Sequence, residues 1–233
     1  AGFEVEEMDD LSLLAQGVVV GKVVACDPHP NADKLSVCSV NVGTDDHLQI
    51  VCGAKNVRAG IHVPVAMVGA VLPAVNLTIK AGELRGVSSQ GMICSLLELG
   101  QPSDIDGIAV LEDLLDATPS PGEAVAASLG LDDIVLELAI TANRPDGLSM
   151  TGIAREVSAL TGAKLSLPAA TAPAGTHVLE TDRNSAAAMQ AGGVYALTEV
   201  RGITGASRSP QWLQRRLCLV YTSPSPRDSD TSR

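Results

Sequence analysis

Aromatic residues are nearly missing from this chain. Its 233 residues hold one Phe, two Tyr and one Trp, 2% in all. So few rings leave little on which nucleic-acid bases can stack. Positive charge is short as well: 16 Lys and Arg stand against 27 Asp and Glu, a net charge of −11. That balance excludes long-range attraction of the whole chain to nucleic acid or to an anionic membrane, so any RNA contact must be local. The five cysteines, Cys26, Cys38, Cys52, Cys94 and Cys218, include no CxxC pair, which argues against a zinc site. Most lie inside Val/Ile runs and read as buried free thiols. Their odd number, without a signal peptide, points to a reducing cytosol and a cytoplasmic location. His29, His47, His62 and His177 are scattered singly, and none reads as a catalytic base. No GxGxxG, GKS/T loop, GxSxG or paired-carboxylate spacing is present, so no catalytic, cofactor or metal residue is assigned.

An uninterrupted membrane-length apolar run is also missing. "IHVPVAMVGAVLPAVNLTI" is long enough to span a bilayer, but His62, Pro64, Pro73 and Asn76 break it. Two buried strands around the Gly69–Ala70 turn suit it better than a span, and no membrane partner is expected.

What is present is a β rhythm. From Val18 to Ser95, short Val- and Ile-rich runs alternate with Gly, Pro and Asn, the pattern of a small closed barrel. Strands are expected near Val18–Ala25, Leu35–Val42, Leu48–Cys52, His62–Val68 and Leu77–Lys80, with a further closing strand at Ile108–Leu111. Five strands with such loops suit an OB-type barrel, though the pattern alone also allows other small barrels. A short helix should end before Gly130, a strand should lie within Asp132–Thr141, and "MTGIAREVSALTG" reads as an amphipathic helix. Ile153, Val157 and Leu160 recur there at helical spacing, with Ser149 placed to cap its start and Gly162 its end. A Pro/Ala/Thr linker follows, then a strand, a turn and a helix entered at Pro210. The last residues, "CLVYTSPSPRDSDTSR", have no apolar period and read as a non-native sequencing scar.

Charge is uneven. Between Ala15 and Ser95, Lys22, Lys34, Lys55, Arg58, Lys80 and Arg85 nearly balance Asp27, Asp33, Asp45, Asp46 and Glu83. Between Leu96 and Ser128 there are seven acids and no base. The RNA-binding candidates therefore sit on the barrel: Lys34, Arg85, Ser88, Ser89, Lys55, Asn56 and Lys22. Lys34 follows the "PNAD" turn and can meet a phosphate as a point charge, or stand as a solvated surface lysine. Arg85, beside Gly86 and the Ser88–Ser89 hydroxyls, offers a phosphate several donors. The same bonds would equally hold a barrel-closing turn. Lys55 and Asn56 are expected exposed in the "GAKN" loop. Asn31 and Asp33 read as turn formers. Asp146 reads as structural, paired with Arg144 or capping the helix, and Trp212 as a packing residue.

The blocks "GFEVE", "VVVGKVVACDPHPNADKLSVCSVNVG", "IVCGAKNVRAGIHVPVAMVGAVLP", "LRGVSSQGMICSLLELG", "ITANRPDGLSMTGIAREVSALTG" and "SPQWLQRRL" resemble successive blocks of the bacterial phenylalanyl-tRNA synthetase β-subunit family, colinear from Ala1 to about Leu217. Similar barrels occur in stand-alone tRNA-binding proteins and appended to methionyl-tRNA synthetases; the "ITANRPD" block is what points to the β subunit. The resemblance implies a β-rich α+β fold in which a five-stranded OB-type barrel at 15–128 is inserted into a small α/β host domain. That host would comprise 1–14 and 129–168. A linker at 169–192, the truncated start of an editing-type module at 193–217 and the scar at 218–233 would follow. On this reading the chain is a fragment of a ligase that joins phenylalanine to its tRNA using ATP and Mg2+, and the fragment itself needs no cofactor. Its implied partners are tRNA and the α subunit, which holds the catalytic residues, in an assembly of two α and two β chains. A stand-alone tRNA-binding protein and a subunit-docking module without RNA contact are the alternatives.

Overall fold

A computed structural model describes residues 2–103, 105–115, 117–169, 201, 202, 204 and 213 of the chain. The expectations for Cys218, His177, Trp212, the linker, the following module and the scar lie outside these residues, save a few scattered positions. Among the described residues two compact units divide the chain, one formed by Val5–Ala139, the other joining the residues up to Glu4 to those from Ile140.

The strand β1 (Glu4–Asp10) opens the chain and β2 (Val18–Pro28) begins the barrel. After β2 come β3 (Ser36–Asn41), β4 (Leu48–Cys52) and β5 (His62–Met67). Two hairpins follow, β6 (Val71–Leu72) with β7 (Leu77–Thr78) and β8 (Gly82–Leu84) with β9 (Val87–Ser89). The short β10 (Gly91–Ile93) completes a five-stranded antiparallel sheet in the order β10-β5-β2-β3-β4. It curls into a nearly closed OB-type barrel, because Gln90 N–H reaches the Gln49 carbonyl at 2.8 Å and so links the two outer strands.

The long strand β2 makes this closure possible. Its first half pairs with β5, from Val18↔Ala66 to Lys22↔His62, and its second half with β3, from Lys22↔Asn41 to Pro28↔Ser36. A register shift between Val23 and Ala25 lets the strand bend from one partner to the other. Gly21 stands at the crossing. A Cβ there would lie 2.5 Å from Val65 Cγ2 and 2.7 Å from Val40 Cγ1. Only glycine lets the opposing valines meet across the interior.

Inward side chains of β2 to β5 form one buried cluster with Val23, Cys38, Val40, Ile50, Val63 and Val65. Burying each aliphatic side chain contributes about 1.5–3 kcal/mol. A second cluster lies at the other end, where Val18, Val20, Leu72 and Leu99 meet α1 (Leu111–Leu114) and α2 (Val125–Leu129). The segment before α2 takes over the edge of β2: Val20 N–H donates to Glu123 O and accepts Gly122 N–H at its own carbonyl, both at 2.8 Å. Gly130 ends α2 in the left-handed region, as expected.

Two strand expectations are corrected. The fifth barrel strand is Gly91–Ile93, not Leu77–Lys80. Asn76, at φ +50°, turns the chain back on itself, and Ile79 exchanges backbone hydrogen bonds with Gly69 and Ala70. That segment therefore closes a local flap, while a three-residue strand is too short to show a period-2 pattern. The expected strand at Ile108–Leu111 is an extended stretch with one ladder-like bond, Ala109 N–H to Cys94 O at 3.1 Å, before Leu111 enters α1. The apolar run around Gly69 supplies the buried β5 but only a two-residue second strand, with Val71, Val75 and Leu77 exposed. Among the described residues no helix is long and apolar enough to cross a membrane.

Three of the four described cysteines, Cys38, Cys52 and Cys94, are buried free thiols; Cys26 is half-buried. Burial pushes the Cys94 thiol up to about 12.

The strand β11 (Ile134–Ala139) pairs with β1 in a two-stranded ribbon. In the second unit a 3-10 turn at Pro145–Leu148 leads into α3 (Met150–Thr161). Ser149 caps α3 by accepting Gly152 N–H at 3.0 Å, and Gly162 ends it at φ +72°. Its expected apolar face is open: Val157 and Leu160 are exposed. Arg144 organises this unit. Its guanidinium holds Asp146 through two 3.0 Å hydrogen bonds and Glu156 through one of 2.8 Å, and lies 4.6 Å from the Phe3 ring centroid. Those bonds from Arg144 hold the Asp146 carboxyl below its usual range. Asp146 thus takes the pairing role, and the cap falls to Ser149.

Candidate nucleic-acid interface

OB-type barrels bind oligonucleotides on the face of their second and third strands, flanked by the loop after the first strand and the loop before the last. In this chain those strands are β3 and β4. The flanking loops are residues 29–35 and 68–90, and they meet.

The meeting is built on His29, which is buried at 5% exposure. Asn31 N–H donates to His29 Nδ1 at 3.0 Å, which places the ring proton on Nε2. Nε2 then donates to the Leu84 carbonyl, also at 3.0 Å. Beside it, Asn31 Nδ2 donates to the Arg85 carbonyl at 3.0 Å. The first loop is thereby pinned to the tip of the β8–β9 hairpin.

That tip is a two-residue turn. Leu84 pairs with Val87, while Arg85 and Gly86 both have positive φ, +51° and +87°. Positive φ at both central positions defines the tight hairpin turn whose twist matches the strands. Glycine adopts it freely; Arg85 is held there against a steric cost of about 1–2 kcal/mol. Its backbone accepts the Asn31 bond and its side chain is exposed. Lys34, three residues beyond Asn31, is exposed on the joined loop. The structure therefore brings the Lys34 loop and the Arg85 turn together.

The other candidates divide by role. Ser88 is exposed, and its carbonyl accepts Gln49 Nε2 at 2.8 Å. Ser89 is buried, and its hydroxyl accepts Val51 N–H and donates to Gly91 O, each at 3.1 Å. That hydroxyl closes the barrel between β4 and β10. Asn56 is half-buried, not exposed as expected. Its amide grips the Ile108 backbone, Nδ2 donating to the carbonyl at 2.8 Å and Oδ1 accepting the N–H at 3.1 Å. Both of its polar atoms are engaged because Ile108 passes this loop with no strand partner of its own. Lys55 is exposed on the same loop, and Lys22 on the outer face of β2 between Asn41 and His62. Among the described residues no hydrogen bond or ion pair engages the charged heads of Lys22, Lys34, Lys55 or Arg85.

His29 and Gln49 were not legible as site residues. His29 carries a local hint, its spacing of two from Asn31, but its main partner lies 55 positions away. Chemically the assembled face offers exposed cations, an exposed hydroxyl and backbone groups, and no Phe, Tyr or Trp ring. It can meet phosphates and ribose hydroxyls and lacks a stacking platform.

The barrel belongs to a recognised class. Residues 18–116 match the family model described as "Putative tRNA binding domain". Over 217 residues, 93% of this chain, the sequence is 64% identical to the "Phenylalanine--tRNA ligase beta subunit" of Parasynechococcus marenigrum. It is 62% identical over the same share to that of Synechococcus sp. strain CC9605, and 54% identical over 96% to that of Trichormus variabilis. The chain belongs to the phenylalanine–tRNA ligase β-subunit family. It spans about a quarter of its relatives' length, 27% of the Parasynechococcus protein.

Proposed function

We propose that this chain serves in the β subunit of a phenylalanine–tRNA ligase, which attaches phenylalanine to its tRNA with ATP in protein synthesis. The observation that carries the reading is the 64% identity across 93% of the chain. The chain contributes architecture and a barrel that touches tRNA phosphates through Arg85 and Lys34, with Ser88, Lys55 and Lys22 at the margin. The union of the two loops through His29 and Asn31 supports that placement. Ser89 and Asn56 act through the barrel frame.

The reading of the barrel as a visitor in a host domain is supported by the compact unit that joins Ala1–Glu4 to the chain from Ile140. Chemistry, ATP and Mg2+ belong to the rest of a cytoplasmic assembly with α subunits, two of each chain. Among the described residues no group of three His, Cys, Asp or Glu side chains is arranged to hold a metal ion. No step through either group is assigned to them.

The second reading, a docking module without RNA contact, is favoured by the net charge of −11 and the scarcity of rings. Titrating the 233-residue chain with tRNA at two salt concentrations separates the two. Binding that weakens steeply with salt supports the phosphate reading. Binding absent at low salt supports docking.

A further inference from the structure

Three thiols lie on three adjacent strands of the barrel, and two of them face each other. Cys26 on β2 and Cys38 on β3 are directly paired across the antiparallel ladder. The Cys38 thiol donates to Cys26 Sγ at 3.8 Å. Directly opposed residues on such strands have Cα atoms about 4.5–5.5 Å apart. That separation falls within the range of about 4.4–6.8 Å that a disulfide spans. Small side-chain rotations would bring the sulfurs into bonding distance while the paired backbone stays in register.

The environments of the two differ in a useful way. Cys38 is fully buried, with the Cys26 sulfur alongside. Cys26 is half-buried, at the barrel's edge beside the Val57 carbonyl. An oxidant therefore reaches Cys26 first, and Cys38 waits behind it. The third thiol, Cys52, pairs through its backbone with Ser36, two positions along β3 from Cys38.

We propose that Cys26 and Cys38 form a reversible redox pair that a hydroperoxide closes into a cross-strand disulfide at the base of the loop carrying Lys34. Cys26 sulfur attacks the peroxide; the O–O bond breaks, an alcohol or water leaves with a proton, and Cys26 becomes a sulfenic acid. Cys38 sulfur then attacks Cys26 sulfur. The S–S bond forms, the S–O bond breaks, and the hydroxyl leaves as water with the Cys38 proton. Two electrons pass from the thiol pair to the peroxide. The link joins positions twelve apart in sequence, on either side of residues 29–35. It restrains the loop that His29 pins to the β8–β9 hairpin.

The test treats the folded 233-residue chain with hydrogen peroxide, blocks remaining thiols with N-ethylmaleimide, and maps tryptic peptides by mass spectrometry without reduction. Cleavage after Lys34 separates the two cysteines. The expected product is Val23–Lys34 linked to Leu35–Lys55, with fragment ions placing the bond on Cys38. Dithiothreitol should release it. Cys52→Ser should retain it, Cys38→Ser should lose it, and in urea the same treatment should scatter pairing among the cysteines. Linkage through Cys52, irreversible oxidation of Cys26 with Cys38 still blocked by maleimide, or full labelling of both after oxidation overturns the proposal. Should Cys38→Ser fail to fold, the fragment ions from the unaltered chain and from Cys52→Ser decide.

Discussion

His29 Nε2 and the Leu84 carbonyl, 55 positions apart in sequence, meet at 3.0 Å and lock two loops of the barrel into one surface. The bond is buried on the His29 side, so water does not replace it readily. His29→Ala should strand the Leu84 carbonyl and the Asn31 N–H together. Both groups sit on exposed residues, so each lost bond costs about 0.5–1.5 kcal/mol. Urea unfolding should show a loss of unfolding free energy of that size, and tRNA affinity should weaken because the Lys34 loop loses its anchor. A variant with unchanged stability would mean the ring bonds carry no net weight.

Arg85 makes opposite predictions for stability and for binding. At φ +51° it occupies a conformation that Asn tolerates better. Arg85→Asn should therefore raise stability by up to about 1 kcal/mol. The same change removes a cation, so the salt dependence of tRNA binding should fall by about one phosphate contact. A rise in the urea midpoint with an unaltered salt slope would remove Arg85 from the interface.

Asn56 should affect folding alone. Its amide supplies both a donor and an acceptor to the Ile108 backbone. Asn56→Ala leaves both groups unpaired next to a buried side chain, at a cost of about 1–3 kcal/mol. Asn56→Asp keeps the acceptor and sets a carboxylate against the Ile108 carbonyl, so it should destabilise as well. Both are read by thermal or urea unfolding. At temperatures where the variants remain folded, tRNA binding should equal that of the unaltered chain.

The barrel is also clasped to α1 by a group that titrates. Glu112 accepts the His62 ring at 2.6 Å and the His62 backbone N–H at 2.9 Å. Partial burial works to raise the Glu112 pKa, but the bonds from His62 outweigh it, and the net shift is downward. A carboxyl depressed in the folded state adds stability above its unfolded value and loses it as pH falls through the folded one. Unfolding midpoints measured below the ordinary carboxylate range should therefore drop with acidity, and Glu112→Gln should flatten that dependence. Equal slopes for the two chains would show that the clasp contributes nothing.

Much of the architecture was legible because it rests on short-range patterns. The Val-rich alternation of β2 to β5, the serine cap at Ser149 and the glycine stop at Gly162 are each read within one turn or one strand. The fifth strand was not, because Gly91–Ile93 carries too few residues for a period and gains its place only by pairing with Val65–Met67. Leu77–Lys80 looked like a strand because it has strand composition, but Asn76 folds it back locally.

For the candidate face, composition and local pattern set which groups exist: few rings, sparse cations, turn residues around Asn31 and Gly86, and the family blocks. Tertiary structure alone decided their roles. It sent Ser89 into the frame through Val51, 38 positions away, and Asn56 through Ile108, 52 away. It left Lys34 and Arg85 facing solvent on joined loops. The reason is physical: the partners in these bonds are backbone amides and carbonyls, which every residue carries, so no side-chain pattern marks them until the chain has closed.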